Sequence, residues 1–146
     1  MVTVVTGASG YIGSHVVANL LARGERVRAT VRDLSDPERV AHLQNLAIAD
    51  GGSLEVVEMD LFNSDSVNSA IAGCSDLIHT AATVVVRARD PQIKIVDPSV
   101  IGTQNVANKI VPIFPSASLT ISNNIPLSID TALGINAFMV SSNGLI

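Results

Sequence analysis

The sequence predicts an α/β fold in which helices cover both faces of a doubly wound parallel sheet, giving three layers. Short β-rich segments alternate with longer segments of helical periodicity from residue 2 to residue 110, and this alternation is typical of successive βαβ units. Residues 2–5 form a continuous apolar or β-branched run, as expected of a strand buried on both faces. We therefore expect parallel strand order with right-handed crossovers.

The first helix follows this strand after a short turn. Apolar residues recur at positions that share one stripe of a helix. These residues are Ile12, Val16, Val17, Leu20 and Leu21. Gly24 then stands where a helix commonly ends in the left-handed conformation.

The second strand and helix come next. Residues 26–31 alternate with period two, as the side chains of a strand do. The helix start at residues 35–38 has a capping residue, proline in the first turn and a capping box between Ser35 and Glu38. The apolar face of this helix is expected to comprise Val40, Leu43, Leu46 and Ala47. Further along we predict strands over 54–59 and 76–80, a short helix over 65–71 and a longer helix within 91–110, strongest after Asp97.

Composition divides the chain near residue 111. Of the 22 charged residues, only Asp130 follows residue 109. We therefore expect a folded domain over residues 1–111 and an atypical tail over 112–146. No internal disulfide or Cys-rich metal site is available, because Cys74 is the single cysteine. That usage favours a cytoplasmic location. A net charge of −4 and no apolar run of 18 residues make nucleic acid or a membrane an unexpected partner.

The turn after the first strand carries three glycines, Gly7, Gly10 and Gly13, at a spacing of three and three. Such a turn between a strand and a helix is typical of the Rossmann dinucleotide-binding unit. The first glycine permits the tight turn, the second lets the backbone approach a pyrophosphate, and the third lets the helix pack close to the strand. The alternative is a glycine-rich turn that binds no ligand.

The end of the second strand predicts the choice of dinucleotide. Arg28, Thr30 and Arg32 share one face by alternation, while Asp33 points to the other. A cation at this position suits the 2′-phosphate of NADP, whereas NAD is held by a carboxylate there. We therefore predict NADP(H) as the preferred cofactor and keep NAD as the alternative. Arg39 lies close enough in the next helix to reach the same phosphate.

Six segments in order resemble the extended short-chain dehydrogenase/reductases of the NAD-dependent epimerase/dehydratase superfamily, most closely the dihydroflavonol-4-reductase-like branch. They read TGASGYIG, RVRATVRD, DPERVAHL, MDLFNSDS, GCSDLIHTAA and DPQIKIVDPSVIGTQNV, and the resemblance extends over about residues 2–110. The resemblance implies contacts to the pyrophosphate, the 2′-phosphate, the adenine and the nicotinamide ribose, in that order. The implied residues are Gly7, Ser9, Gly10, Tyr11, Ile12 and Gly13; Arg32 and Arg39; Asp60 and Leu61; and Thr80, Ala81 and Ala82.

The family's chemistry is hydride transfer from NADPH to a small carbonyl substrate, with tyrosine as proton donor, a lysine four residues later and a serine. The single tyrosine here is Tyr11, and the lysines are Lys94 and Lys109, so no Tyr-x-x-x-Lys pair exists. We therefore expect the NADP(H)-binding, N-terminal part of a carbonyl oxidoreductase, truncated and inactive by itself. The alternatives are a non-catalytic dinucleotide-binding or sensing module and a nonfunctional truncated product.

The end of the chain, FMVSSN over 138–143, resembles the family's fifth strand with its serine pair. Ser142 then falls at the position of the catalytic serine, and residues 112–136 become an insertion such as a translated intron. The alternative is a chance serine pair in an unstructured tail. His15 and His79 have no ligand partners at metal-binding spacing, so we expect packed or hydrogen-bonded histidines and no metal site.

Overall fold

The computed structural model describes residues 1–81, 97–113, 119–120 and 138–141. The element order predicted from the sequence is confirmed as far as the long helix that follows the fourth strand. The elements are β1 (Thr3–Thr6), α1 (Tyr11–Ala22), β2 (Arg26–Val31), α2 (Pro37–Gln44), β3 (Ser53–Glu58), α3 (Ser64–Ile71), β4 (Asp76–His79), α4 (Asp97–Ile113), β5 (Leu119–Thr120) and β6 (Phe138–Ser141).

The strands form one sheet in the order β3-β2-β1-β4-β6-β5. The first four strands run parallel, with Thr3 of β1 opposite Val27 of β2 on one side and Asp76 of β4 on the other. The chain therefore winds outward from β1 to β3 and then crosses to the other side of β1. Ligands of open α/β sheets bind where the strand order reverses in this way, at the carboxyl ends of the strands.

The strand predicted near the C-terminus is present, and it lies beyond residues 2–110, for which parallel order was predicted. β6 runs antiparallel to β4, with Met139 opposite Ile78, and it also pairs antiparallel with β5, a strand not predicted. A strand's residue pattern reports which positions are buried and not the direction of the chain. Direction depends on the end of the sheet from which the chain enters the strand, and the residue pattern does not contain that information.

The core consists of one apolar layer on each face of the sheet. Neighbouring residues of β1 face opposite layers, because side chains alternate along a strand. Val5 packs with Val17 and Leu21 of α1, whereas Val4 packs with Ile71 of α3 and Val106 of α4. The three-layer arrangement predicted from the sequence is confirmed.

Two residues predicted to face the core are exposed instead. Ile12 is 56% exposed, because the first turn of α1 lies at the end of the sheet, beside an open cavity. Ala47 is exposed because α2 ends at Gln44, so that Ala47 lies beyond the helical stripe. The helix-ending conformation predicted for Gly24 is confirmed by its φ of 74°. α4 continues to Ile113, and the domain boundary expected near residue 111 stays a prediction.

The start of α2 differs from the predicted capping box. Asp36 is the N-cap residue, and its side chain accepts a hydrogen bond from the Glu38 N–H. Ser35 lies one residue too early to cap the helix and donates instead to the Asp33 carboxylate. Pro37 occupies the first helical position, where its missing N–H costs nothing.

Candidate functional site

A cavity of about 360 Å³ opens at the carboxyl ends of the four parallel strands. The glycine turn after β1 forms one wall, the ends of β2 and β3 form another, and the end of β4 forms the floor. Every predicted cofactor-binding residue within residues 1–81 lines this one cavity. Ala82 and Ser142 lie outside the described residues. Their roles, and those of the residues around the cavity, stay predictions.

The three glycines of the turn meet different surroundings. Gly7 has a φ of 69°, and a Cβ added to it would lie 2.7 Å from the Ala81 Cα. A Cβ on Gly13 would overlap the carbonyl group of Gly7. On Gly10 a Cβ would have one close neighbour, the Gly7 carbonyl oxygen at 3.2 Å. The protein itself therefore excludes side chains at Gly7 and Gly13, whereas Gly10 borders the open cavity.

The N-terminus of α1 faces this cavity. Gly10 is the N-cap residue and offers no side-chain cap, and the first turn holds no acidic residue. The first N–H groups of a helix lack intrahelical partners and carry partial positive charge. An anion in the cavity can therefore bind these backbone groups.

Two arginines line the side of the cavity formed by β2 and α2. Arg39 is held by its Nε, which donates to Asp36 Oδ2 at 2.8 Å. Arg32 follows β2 directly and is exposed, and it makes no hydrogen bond or ion pair with any residue of the described chain. The guanidinium group of Arg32 is thus available to an anionic ligand.

Asp33, next to Arg32, is engaged elsewhere. Its Oδ1 accepts hydrogen bonds from the Ser35 hydroxyl at 2.6 Å and from the Ser35 N–H at 2.8 Å. These bonds, the hydroxyl's first, hold the pKa of the Asp33 carboxyl below its ordinary value. Asp33 is not among the residues that line the cavity, in agreement with the alternation along β2.

The loop between β3 and α3 closes the cavity beyond the arginines. Asp60 Oδ1 accepts a hydrogen bond from the Phe62 N–H at 3.0 Å, and the Asp60 N–H donates to the Ser66 hydroxyl at 3.0 Å. Phe62 is half exposed and lines the cavity, although it was not predicted from the sequence. Thr30, Val31 and Met59 were missed in the same way. All four lie at or just beyond the carboxyl ends of β2 and β3. Their position at these strand ends could have predicted that they line the cavity.

The floor of the cavity is a hydrogen-bonded junction between β1 and β4. The Thr6 hydroxyl lies 2.7 Å from His79 Nδ1 and accepts hydrogen bonds from the backbone N–H groups of Thr80 and Ala81. The Thr80 hydroxyl donates to the Thr6 carbonyl oxygen at 2.6 Å. These bonds hold the backbone of Ala81 against the glycine turn.

His79 is completely buried at this junction, and burial lowers its pKa to about 4. The imidazole is therefore neutral near pH 7. With both N–H groups donating to Thr6 Oγ1, the hydroxyl proton is directed at His79 Nδ1. The prediction of a hydrogen-bonded histidine is confirmed for His79.

Metal-ligating side chains do not cluster in the described parts of the chain, where no three His, Cys, Asp or Glu residues could share an ion. His15 instead packs its ring against the edge of Tyr11, with centroids 4.7 Å apart. No helix within the described ranges is long and apolar enough to cross a membrane.

Comparison with known proteins supports the resemblance found in the sequence. The chain is 43% identical over 109 residues to cinnamoyl-CoA reductase CAD2 of Medicago truncatula, covering 73% of this chain and 32% of that protein. It is 40% identical over 102 residues to a bifunctional dihydroflavonol 4-reductase/flavanone 4-reductase of Pyrus communis, covering 70% and 29%. The chain thus spans about a third of the length of these relatives.

A solved structure has the same fold. A mutant of uronate dehydrogenase from Agrobacterium tumefaciens, complexed with NAD, superimposes with a TM-score of 0.53 at 26% identity, covering 76% of this chain and 36% of that chain. The sequence profile of the 3-beta hydroxysteroid dehydrogenase/isomerase family matches residues 4–113. This match includes β1 through α4 and every described wall of the cavity, and the chain belongs to the 3-beta hydroxysteroid dehydrogenase/isomerase family.

Proposed function

We propose that this chain binds a nicotinamide dinucleotide, with NADP(H) preferred, as the cofactor-binding part of a carbonyl reductase of the dihydroflavonol-reductase type. The observation that carries the preference is the charge at the end of β2. Arg32 presents an unpaired guanidinium to the cavity, while the neighbouring carboxylate of Asp33 is bound to Ser35. A phosphate on the ribose 2′-oxygen suits such a cation, and a bare hydroxyl does not need one.

The residues around the cavity fit the other parts of a dinucleotide. The uncapped N-terminus of α1 and the open space beside Gly10 suit a pyrophosphate, because backbone N–H groups can approach it without a side chain between. One oxygen of Asp60 binds the Phe62 N–H, which leaves the other to accept from the exocyclic amine of adenine. Ala81, held against Gly7, offers a close backbone approach to the nicotinamide ribose.

A bound NADPH would supply the hydride for reduction of a carbonyl. The chain's own contribution, in this proposal, is to bind and orient the dinucleotide. Proton donation is a different matter, because the Tyr-x-x-x-Lys pair of the family is missing from the sequence. We infer that the chain by itself binds NADPH without turning over a ketone or aldehyde. Ser142 stays a prediction as the family's serine.

The test compares two arginines at opposite ends of β2, Arg32 just after the strand and Arg26 at its start. Arg32→Ala should weaken NADPH binding about tenfold, as expected for loss of charge-assisted hydrogen bonds, and should change NADH binding little. Arg26→Ala is the matched control, since Arg26 is exposed at the opposite end of β2. Fluorescence titration with each dinucleotide measures both affinities.

Two results would count against the proposal. Equal losses for NADPH and NADH would mean that the 2′-phosphate binds elsewhere. Failure of the unmodified, folded chain to bind either dinucleotide would remove the function altogether. Steady consumption of NADPH with a ketone or aldehyde would contradict only the inferred lack of turnover.

A further inference from the structure

The loop of residues 60–62 connects β3 to α3. Its conformation depends on contacts with a third element as well as on these two. The loop is too short to have ladder hydrogen bonds of its own. Three hydrogen bonds hold its first residue, Asp60, and they join it to Ser66 of α3, to the Phe62 N–H and to the Asn63 N–H. The Leu61 carbonyl takes part in none of them.

α4 provides the missing contact. Asn105 is partly buried, and its side-chain Nδ2 donates to the Leu61 carbonyl oxygen at 2.8 Å. One turn earlier, Gly102 is buried against the Leu61 side chain, so that a Cβ on Gly102 would lie 3.2 Å from the Leu61 Cβ. The helix is anchored at this level by Val106, which is fully buried in the same apolar cluster as Met59.

A planar peptide connects this contact to the carboxylate of Asp60. The carbonyl of Leu61 and the N–H of Phe62 belong to one peptide unit, whose atoms lie in a plane. Asn105 donates to the carbonyl oxygen of this peptide unit, and the N–H of the same unit donates to Asp60 Oδ1 on the other side. Rotation of the peptide would therefore break the Asn105 contact and turn the Asp60 carboxylate at the same time.

We propose that Asn105 and Gly102 of α4 are positioning residues for adenine recognition. Neither lines the cavity. Asn105 fixes the peptide that orients Asp60, and Gly102 permits Leu61 to lie at its observed distance from the helix. The proposal rests on the proposed function, since it assumes that the adenine of a nicotinamide dinucleotide binds beside Asp60 and Leu61.

The experiment uses deamino-NADPH, in which a carbonyl oxygen replaces the exocyclic amine of the adenine. The unmodified chain should bind NADPH more tightly than deamino-NADPH, because a carboxylate accepts from an amine and repels an oxygen. Asn105→Asp replaces the donor by a carboxylate of the same shape, which repels the Leu61 carbonyl. We expect NADPH affinity to fall about fivefold, with a much smaller fall for deamino-NADPH, so that the discrimination between the two nearly disappears.

The matched control is Asn108→Asp, which makes the same chemical change on the exposed side of the same helix. It should leave both affinities and their ratio unchanged. Gly102→Ala changes no charge and displaces Leu61 by a few tenths of an ångström, so a decrease in discrimination of about twofold is expected. This second variant keeps the test decisive if Asn105→Asp folds poorly.

Two outcomes would contradict the inference alone, and a third would also remove the proposed function. If Asn105→Asp binds both ligands more weakly by the same factor, the residue supports the fold and does not position Asp60, and the inference fails while the proposed function stands. If the NADPH to NADH ratio changes in this variant, its effect reaches the arginines instead, which also contradicts the inference. If the unmodified chain binds no NADPH, the proposed function fails and the inference falls with it.

Discussion

The three glycines of the turn have different surroundings in the folded chain. Gly7 and Gly13 are surrounded by backbone of the protein itself, and Gly10 is bordered mainly by the open cavity. The spacing of the glycines predicts a separate role for each of them. The folded chain adds which atoms surround each Cα, and therefore what a side chain at each position would meet.

This difference makes Gly10→Ala a specific test of ligand binding. The added methyl group has one close neighbour in the protein, the Gly7 oxygen at 3.2 Å, so the free energy of unfolding should change by less than about 1 kcal/mol. Dinucleotide binding should fall by tenfold or more, because the methyl group occupies the approach of the pyrophosphate. Titration with NADPH and urea denaturation measure the two effects.

Gly13→Ala is the companion variant with the opposite pattern. Its methyl group would overlap the Gly7 carbonyl, so the fold should lose about 1 to 3 kcal/mol of stability even without ligand. Unchanged NADPH affinity in Gly10→Ala would show that the pyrophosphate does not lie against this turn.

At the scale of elements, one side chain at the start of α2, that of Asp36, both caps the helix and forms an ion pair. Asp36 Oδ1 caps the helix through the Glu38 N–H at 3.1 Å, and Asp36 Oδ2 holds Arg39 at 2.8 Å. Ser35 was expected to cap the helix, but its bonds to Asp33 direct it away. Two adjacent residues with similar capping propensity compete for such a role, and local sequence does not decide between them.

Two substitutions separate the contacts of Asp36. Asp36→Ala removes the cap and should lower the free energy of unfolding by about 1 kcal/mol. Asp36→Ser keeps a capping oxygen and loses only the pair with Arg39, which is exposed and worth a few tenths of a kcal/mol. Urea denaturation of both variants gives the comparison. Equal destabilisation would mean that the ion pair, and not the cap, stabilises the start of α2.

At the scale of the whole molecule, the junction of β1 with β4 couples folding to pH. The folded state lowers the pKa of His79 to about 4, while the unfolded chain has the ordinary value near 6.5. The folded state therefore disfavours protonation. The resulting stability is fully present above pH 6.5 and is lost as the pH falls from 6.5 towards 4.

The size of this effect follows from the difference between the two values. At about 1.36 kcal/mol per pH unit, the free energy of unfolding should decrease by roughly 3 kcal/mol across the window. His79→Asn keeps an acceptor for the Thr6 hydroxyl but does not titrate, so its free energy of unfolding should fall less between pH 6.5 and pH 4. His42→Asn, at an exposed position of α2, is the control. An identical pH profile for His79→Asn and the unmodified chain would show that this histidine is not the group responsible.

Much of the architecture could be predicted because periodicity and turn chemistry act locally. The stripe of Val17, Leu20 and Leu21 is sufficient to define the buried face of α1. Placement of Arg32, Asp60 and Thr80 at strand ends is sufficient to bring them to one edge of a parallel sheet. The direction of β6 and the exposure of Ile12 escaped prediction, because both depend on what lies beside them in space.

The sequence by itself determined the order of strands and helices from β1 to α4 and the position of the glycine turn, since each depends on spacing along a few consecutive residues. The tertiary structure alone decided that Thr6 binds His79 and that Asn105 holds the Leu61 carbonyl. These two contacts join residues 73 and 44 positions apart. Hydrogen bonds of this kind depend on distances of a few tenths of an ångström, which are established only when the layers have packed.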